Sequence, residues 1–354
     1  MDWGEDTMGA EAQTDSNLND AQFKPLAMKR GGKNPSPGPS AETMSGHVNN
    51  ILATYDAVTP EQKHAGARFY PQAHRAASAI AQGIAPGVLG AGQAQTRASK
   101  RGVYRPPGVS KDDVNRAAAK IAVLSPSMPA GMAWRENAQA AHDIAGVSGD
   151  TIAKLGVAHQ ALQTQQHAQG LLKSLKGTRK SPGTGSRAEI KAAAAVHAAA
   201  RSDYADKAAI ARAPLEGTQL VHAGIVSILR AHDVHTGAST PEQALPMKNK
   251  TGAFYENIAD PAHSNRAVID GRSHDIAHGA TLGWTTNRGL SAAGRYSHFE
   301  QAHQQAATAR GVSPMTMQAT TWIADKEHAM SKGTPANQAI NQSPSRNGNT
   351  PLGQ

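Results

Sequence analysis

The sequence predicts an almost entirely α-helical protein, and three observations carry that prediction. Apolar residues recur at three- and four-residue steps across most of positions 46–332. Helix-opening signatures punctuate the chain at intervals. No stretch of useful length alternates apolar with polar residues as a half-buried strand would.

Residues 1–45 are poor in large apolar side chains and carry Pro35, Pro37 and Pro39, so burial there cannot offset the entropy of ordering, and a disordered tail is expected. Residues 333–354, rich in Asn, Gln, Ser and Pro, read as a second tail. The first helix opens at Thr59-Pro60-Glu61-Gln62, with Pro at the first helical position, and runs through Ala65, Phe69, Ala73, Ala76 and Ile80. Ser110-Lys111-Asp112-Asp113 opens another, with Val114, Ala117, Ala118, Ile121 and Leu124 on one face until Ser125-Pro126 stops it. A third carries Trp134, Asn137 and Ala141. These elements and a helix from about 150 make 46–162 the N-terminal part of the core.

Positions 163–215 read as an insertion: the end of that helix near 175, a basic flexible loop over 176–186, and an Ala-rich helix near 187–212. Ala192–Ala195 and Ala198–Ala200 give helix propensity with little apolar bulk, which suits a surface element better than a core pillar. Short helices near 217–232, 249–258, 271–280, 291–310 and 313–326 complete the C-terminal part of the core, 216–332.

With only four Phe, four Trp and six Tyr, aliphatic helix faces must supply most of the buried surface, so the core is smaller than the chain. The absence of Cys excludes disulfides, thiolate metal sites, iron–sulfur clusters and cysteine nucleophiles. The acidic start Met1-Asp2-Trp3-Gly4-Glu5-Asp6 is no signal peptide, and no segment approaches the roughly 18–20 apolar residues of a membrane span, so a cytoplasmic protein with no membrane partner is expected. A net charge of +9 favours an anionic partner, and a long polyanion, DNA above all, is the commonest. Much of that charge, Lys173, Lys176, Arg179, Lys180 and Arg187, sits in the insertion, where a solvated linker would carry it equally well.

Four segments resemble the helix-hairpin-helix DNA glycosylase superfamily. They are Ile121-Ala122-Val123-Leu124-Ser125-Pro126 with Trp134 and Asn137, Ala244-Leu245-Pro246-Met247-Lys248-Asn249-Lys250-Thr251, Val268-Ile269-Asp270-Gly271-Arg272-Ser273-His274-Asp275, and Gln318-Ala319-Thr320-Thr321-Trp322. The resemblance implies a helical helix-hairpin-helix core and cleavage of the N-glycosidic bond of a flipped base. Breaking that bond builds positive charge on the sugar, which a fixed carboxylate stabilises while it activates water; Asp270 matches that position. Lys250 matches the lysine that attacks the sugar carbon in the lyase form of the reaction. His274, Ser125, Asn137 and Thr251 are the supporting positions, Lys248 and Arg272 the DNA contacts, and no cofactor or metal is implied.

Alternatives stand beside these roles. Asp270 reads equally as a helix N-cap, Lys250 as a solvated lysine, and Trp134 and Trp322 as core residues. The turn Met247-Lys248-Asn249 lacks the glycines through which the family's hairpin presents amides to phosphate. His274 and His278 share a helical face and with Asp275 suggest a metal, but among sixteen His such a pair arises by chance; His274 more simply orients Asp270. Gly87–Gly92 follows Pro86 rather than a strand and reads as a loop.

The string as a whole also resembles a family of uncharacterised proteins from phages of actinobacteria, through Phe69-Tyr70-Pro71, Leu124-Ser125-Pro126, Lys250–Ile258 and Gln318–Trp322, which would place it in the host cytoplasm. Three functions stay open: a DNA glycosylase, a phage enzyme of the same fold that processes modified pyrimidines, and a non-enzymatic basic DNA-associated or virion protein.

Overall fold

A computed structural model describes residues 43–86, 108–127, 134–178, 181–280, 282, 288–291 and 294–331. The tails expected at 1–45 and 333–354, apart from 43–45, and the glycine-rich stretch 87–92 lie outside them. The described chain is all-α but for a two-residue ribbon pairing Gly177–Thr178 with Ser181–Pro182. No helix among the described residues is long and apolar enough to cross a membrane.

Helix α1 (Met44–Asp56) is capped by Thr43, whose hydroxyl accepts the Gly46 N–H, and buries His47, Ile51 and Tyr55 at four-residue steps. No helix is expected here from the sequence, because a stripe that starts with an imidazole does not register as apolar. Helix α2 (Pro60–Ala81) opens as expected, with a reciprocal Thr59/Gln62 capping box and Pro60 in the first turn. Helix α3 (Lys111–Leu124) has its own box between Ser110 and Asp113. Its second half departs from the one-faced pattern: every residue from Ala117 to Leu124 is buried, because α2, α4 (Trp134–Asp143), α7 (Ile225–Thr236) and α9 (Lys250–Ala259) all pack around it. The alanines are what let four helices approach one axis.

Helices α5 (Gly149–Lys176) and α6 (Arg187–Arg212) form an antiparallel arm. The single helix expected near 217–232 is instead a 3-10 turn at Gln219–His222 followed by α7, since Gly224 interrupts the run and sits at the α7 N-cap. Helix α8 (Pro241–Ala244) and α9 flank the turn Leu245–Asn249. Then come α10 (Gly271–His278), closed by left-handed Gly279, α11 (Arg295–Arg310) and α12 (Pro314–Ser331).

Two apolar clusters result. The larger surrounds α3; the smaller joins α1, α10 and α11 through Ile51, Ile269, Ile276 and Phe299. Helix α12 welds them, placing Met315 and Ala319 in the first and Met317 in the second. It also lies so close to α2 that a Cβ on Gly66 would fall 2.0 Å from the Thr320 hydroxyl.

Candidate functional site

The segment leading into α10 lies outside any helix and is buried at 267–269, and Tyr296 pins it: the Ile269 N–H donates to its hydroxyl at 3.1 Å, and the hydroxyl donates to the Ala267 carbonyl at 3.2 Å. Asp270 follows as the α10 N-cap. Its Oδ1 accepts the Ser273 N–H at 2.8 Å, and its Oδ2 accepts the indole N–H of Trp322 at 3.0 Å. One carboxylate therefore ties α10 to α12. A buried relay backs it: Tyr70 donates to Gln318 at 3.0 Å, Gln318 to the Ser273 hydroxyl at 3.2 Å, and Ser273 to the Val268 carbonyl at 3.1 Å. Burial pushes the Tyr70 phenol far above its ordinary range, so it stays a donor.

Trp322 belongs to a row of half-buried rings. Phe69 lies between it and Trp134, with ring centres 6.3 and 6.5 Å away. Cations flank the row: the Arg272 guanidinium stands 5.9 Å and the Lys326 ammonium 5.3 Å from the Trp322 ring, and Arg135 stands 5.7 Å from Trp134. Arg272 is further held by an ion pair with Asp325. A flat heterocycle can stack on such a face, a phosphate can sit among its cations, and Asp270 stands at its edge.

Of the residues singled out in the sequence, Asp270 and Arg272 converge here, and Trp134 and Trp322 are half-buried members of the row rather than full core residues. No hydrogen bond or ion pair among the described residues joins Lys250 to them. It is half-buried at the first position of α9, which packs on α3 and on α2, the helix of Phe69. Thr251 beside it is buried with its hydroxyl unbonded, Asn137 is buried on α4, Ser125 ends α3, and Lys248 is exposed in the α8–α9 turn. Sequence reasoning gave no role at the site to Phe69, Tyr70, Gln318 or Lys326, although the first three lie in segments that carry its resemblances. The scarcity of aromatics was the available signal, since a chain with so few has reason to cluster them.

His274 corrects the expectation that it orients Asp270. Its side chain turns into the core, where Nδ1 lies 3.0 Å from Asp275 and Nε2 accepts from Arg295 at 3.3 Å. That pattern selects the neutral tautomer with the proton on Nδ1. Burial, with Arg295 and His278 nearby, lowers its pKa to about 4 despite Asp275. The Asp275 carboxylate is fully engaged: Arg288 donates to both oxygens at 2.8 Å, and the Leu282 N–H donates at 2.9 Å. Burial opposes its charge, but the Arg288 and His274 bonds outweigh it and hold the carboxyl below its ordinary range. With its lone pairs so committed, Asp275 has none to spare for the metal that the His274/His278 spacing suggested, and no group of three or more potential ligands among the described residues is arranged to hold one.

Residues 178–329 match the model of a family of unknown function, DUF7178. No curated protein and no solved structure matches the chain. The matched stretch is under half of the chain; it begins at the tip of the α5–α6 arm and ends within α12. It contains Lys248, Lys250, Asp270, Arg272 and Trp322 but not Phe69 or Trp134, so the aromatic row is assembled from both sides of its boundary.

A perturbed lysine lies away from this face. Lys120, buried between α3 and α7, has its pKa lowered to about 8 by burial and by Arg116. It lies on a different helix from every residue of the Asp270 face.

Proposed function

We propose that the chain is a DNA glycosylase-like protein with a helix-hairpin-helix core, acting on a base turned out of its stack. The observation that carries this reading is the Asp270 carboxylate, bonded to Trp322 at the edge of an aromatic row flanked by Arg135, Arg272 and Lys326. The short α8, the turn and α9 support the hairpin. A glycine does serve it, though not in the turn: a Cβ on Gly252 would stand 2.3 Å from the Met247 carbonyl, so only glycine lets the turn close on α9.

In this reading the rings hold the displaced base and the cations hold its phosphates. Asp270 accepts a proton from water as the water oxygen bonds to the sugar carbon, and the electrons of the broken carbon–nitrogen bond leave with the base. Water, rather than the Lys250 amine, is the nucleophile proposed, since Lys250 makes no hydrogen bond or ion pair with this face among the described residues.

The test is release of free base from oligonucleotides carrying uracil, oxidised, alkylated or modified pyrimidine bases, with Asp270→Asn and Lys250→Ala alongside. Release that Asp270→Asn abolishes and Lys250→Ala spares is the expected result. A borohydride-trapped adduct lost in Lys250→Ala would instead establish amine attack. A second reading, a DNA-binding protein without catalysis, is favoured by the fact that both Asp270 oxygens already accept internal hydrogen bonds. Duplex binding with no base release from any substrate would select it.

A further inference from the structure

The α5–α6 arm is the largest feature that the proposed chemistry leaves unused. Its base joins the main core through Leu155 and Ala158 on α5 and Ala208 and Ala211 on α6. Its outer part buries only Ala161 and Ala168 on α5 and Ala193 and Ala200 on α6, each pair seven residues apart, a narrow seam that keeps two helices together and serves nothing else. From Ala161 to Lys176 the arm reaches about 22 Å at 1.5 Å per residue.

Charge is concentrated on that outer part. Positions 162–202 contain seven Lys and Arg against the single Glu189, a net +6 out of the chain's +9. Glu189 is spent locally, since its carboxylate accepts the Ser186 N–H at 2.6 Å in the α6 capping box. Lys173, Lys176, Arg187 and Lys191 are exposed and form no ion pair among the described residues. The described residues at this end fold back on the arm. The Gly185 N–H donates to the Leu175 carbonyl at 3.1 Å, and a Cβ on Gly183 would fall 2.0 Å from that same oxygen, so the chain folds back on the last turn of α5.

We propose that the arm is a backbone clamp for duplex DNA, its basic end lying along the phosphates and supplying sequence-independent affinity while the Asp270 face addresses the base. The proposal rests on the nucleic-acid reading above. Two like-charged ends set against one another repel, which argues for a polyanion over a second copy of the chain as the occupant, although Leu171 and Val196 expose apolar surface on the same arm.

The experiment is fluorescence-anisotropy titration of the full chain with a labelled mixed-sequence duplex between about 50 and 200 mM salt, where each phosphate contact contributes about −0.9 to the slope of log affinity against log salt. The variant Lys173→Gln/Lys176→Gln/Arg187→Gln/Lys191→Gln keeps helix propensity and alters only exposed positions; circular dichroism confirms its fold. Its slope is expected to be shallower by about 3.6, so that wild-type affinity falls roughly a hundredfold more than the variant's across that range.

An unchanged slope in the arm variant overturns the proposal even if base release shows the catalytic reading to be right. A lost slope with no base release from any substrate upholds the clamp and removes the catalysis. Absence of duplex binding by the wild type overturns the clamp, as does a dimer that Leu171→Glu/Val196→Glu dissociates and that alone accounts for the arm's surface.

Discussion

Lowering the pH should unfold this protein well before its carboxylates protonate, because three imidazoles are held neutral in its core. Burial, followed by the neighbouring His298, His278, His274 and Arg295, lowers His47 to about 3. Burial lowers His274 to about 4, and His303, whose Nδ1–H donates to the Phe299 carbonyl, also to about 4. In the unfolded chain each titrates near 6.5, so between about 6.5 and 4 the unfolded state binds more protons and stability falls as pH falls. For one such imidazole the loss between about pH 7.5 and pH 5 is about 2 kcal/mol, and for three about 6 kcal/mol, comparable to the whole stability of an ordinary domain. With an m-value of about 3 kcal/mol/M, the urea midpoint should drop by about 2 M, read by circular dichroism at the two pH values. His303→Gln should remove about a third of that drop. A wild-type midpoint that stays constant over this range would mean that the imidazoles are not kept neutral by the fold, and the reasoning would fail.

Three further outcomes follow from particular contacts. Asp275→Asn takes the carboxylate from Arg288 inside the core and should cost about 3–5 kcal/mol, a fall in Tm of about 6–20 °C by calorimetry. Gly66→Ala should destabilise by about 1–3 kcal/mol through the clash with Thr320, whereas Gly156→Ala, on α5 with open space beside it, should stabilise by about 0.5–1 kcal/mol; thermal melts of the two should move in opposite directions. Trp322→Phe keeps a ring against Phe69 but removes the donor to Asp270, so base release should fall while duplex affinity and the melting curve stay near wild type.

Helix positions were largely legible because capping chemistry is local. The boxes at Thr59/Gln62 and Ser110/Asp113 satisfy their own backbone donors with residues three apart, so the chain announces those starts without reference to the rest of the fold. Position 47 was not legible for the opposite reason. An imidazole belongs in a core only when the packing supplies His298 and Phe299 beside it, and those come from α11, some 250 residues further along the chain. The surroundings of Asp270 divide the same way: its N-cap role follows from the segment alone, while its bond to Trp322 depends on where α12 is laid down.

The same division explains how one aspartate can look structural and still suit chemistry. A cap needs one oxygen, and Oδ1 supplies it to Ser273; had the carboxylate done nothing else, its position relative to the rings would be incidental. Oδ2 instead accepts from the indole, and that indole lies against Phe69 and beneath Arg272 and Lys326, so the helix start, the aromatic row and the cations are fixed to one another through a single side chain. A carboxylate needed only for capping tolerates Ser or Thr, which satisfy the same backbone donor, whereas one that must present charge beside a sugar does not. Asp270→Ser should therefore keep the α10 cap, lose about 1 kcal/mol with the indole bond, and release no base, and a variant that retained release would return Asp270 to a structural role.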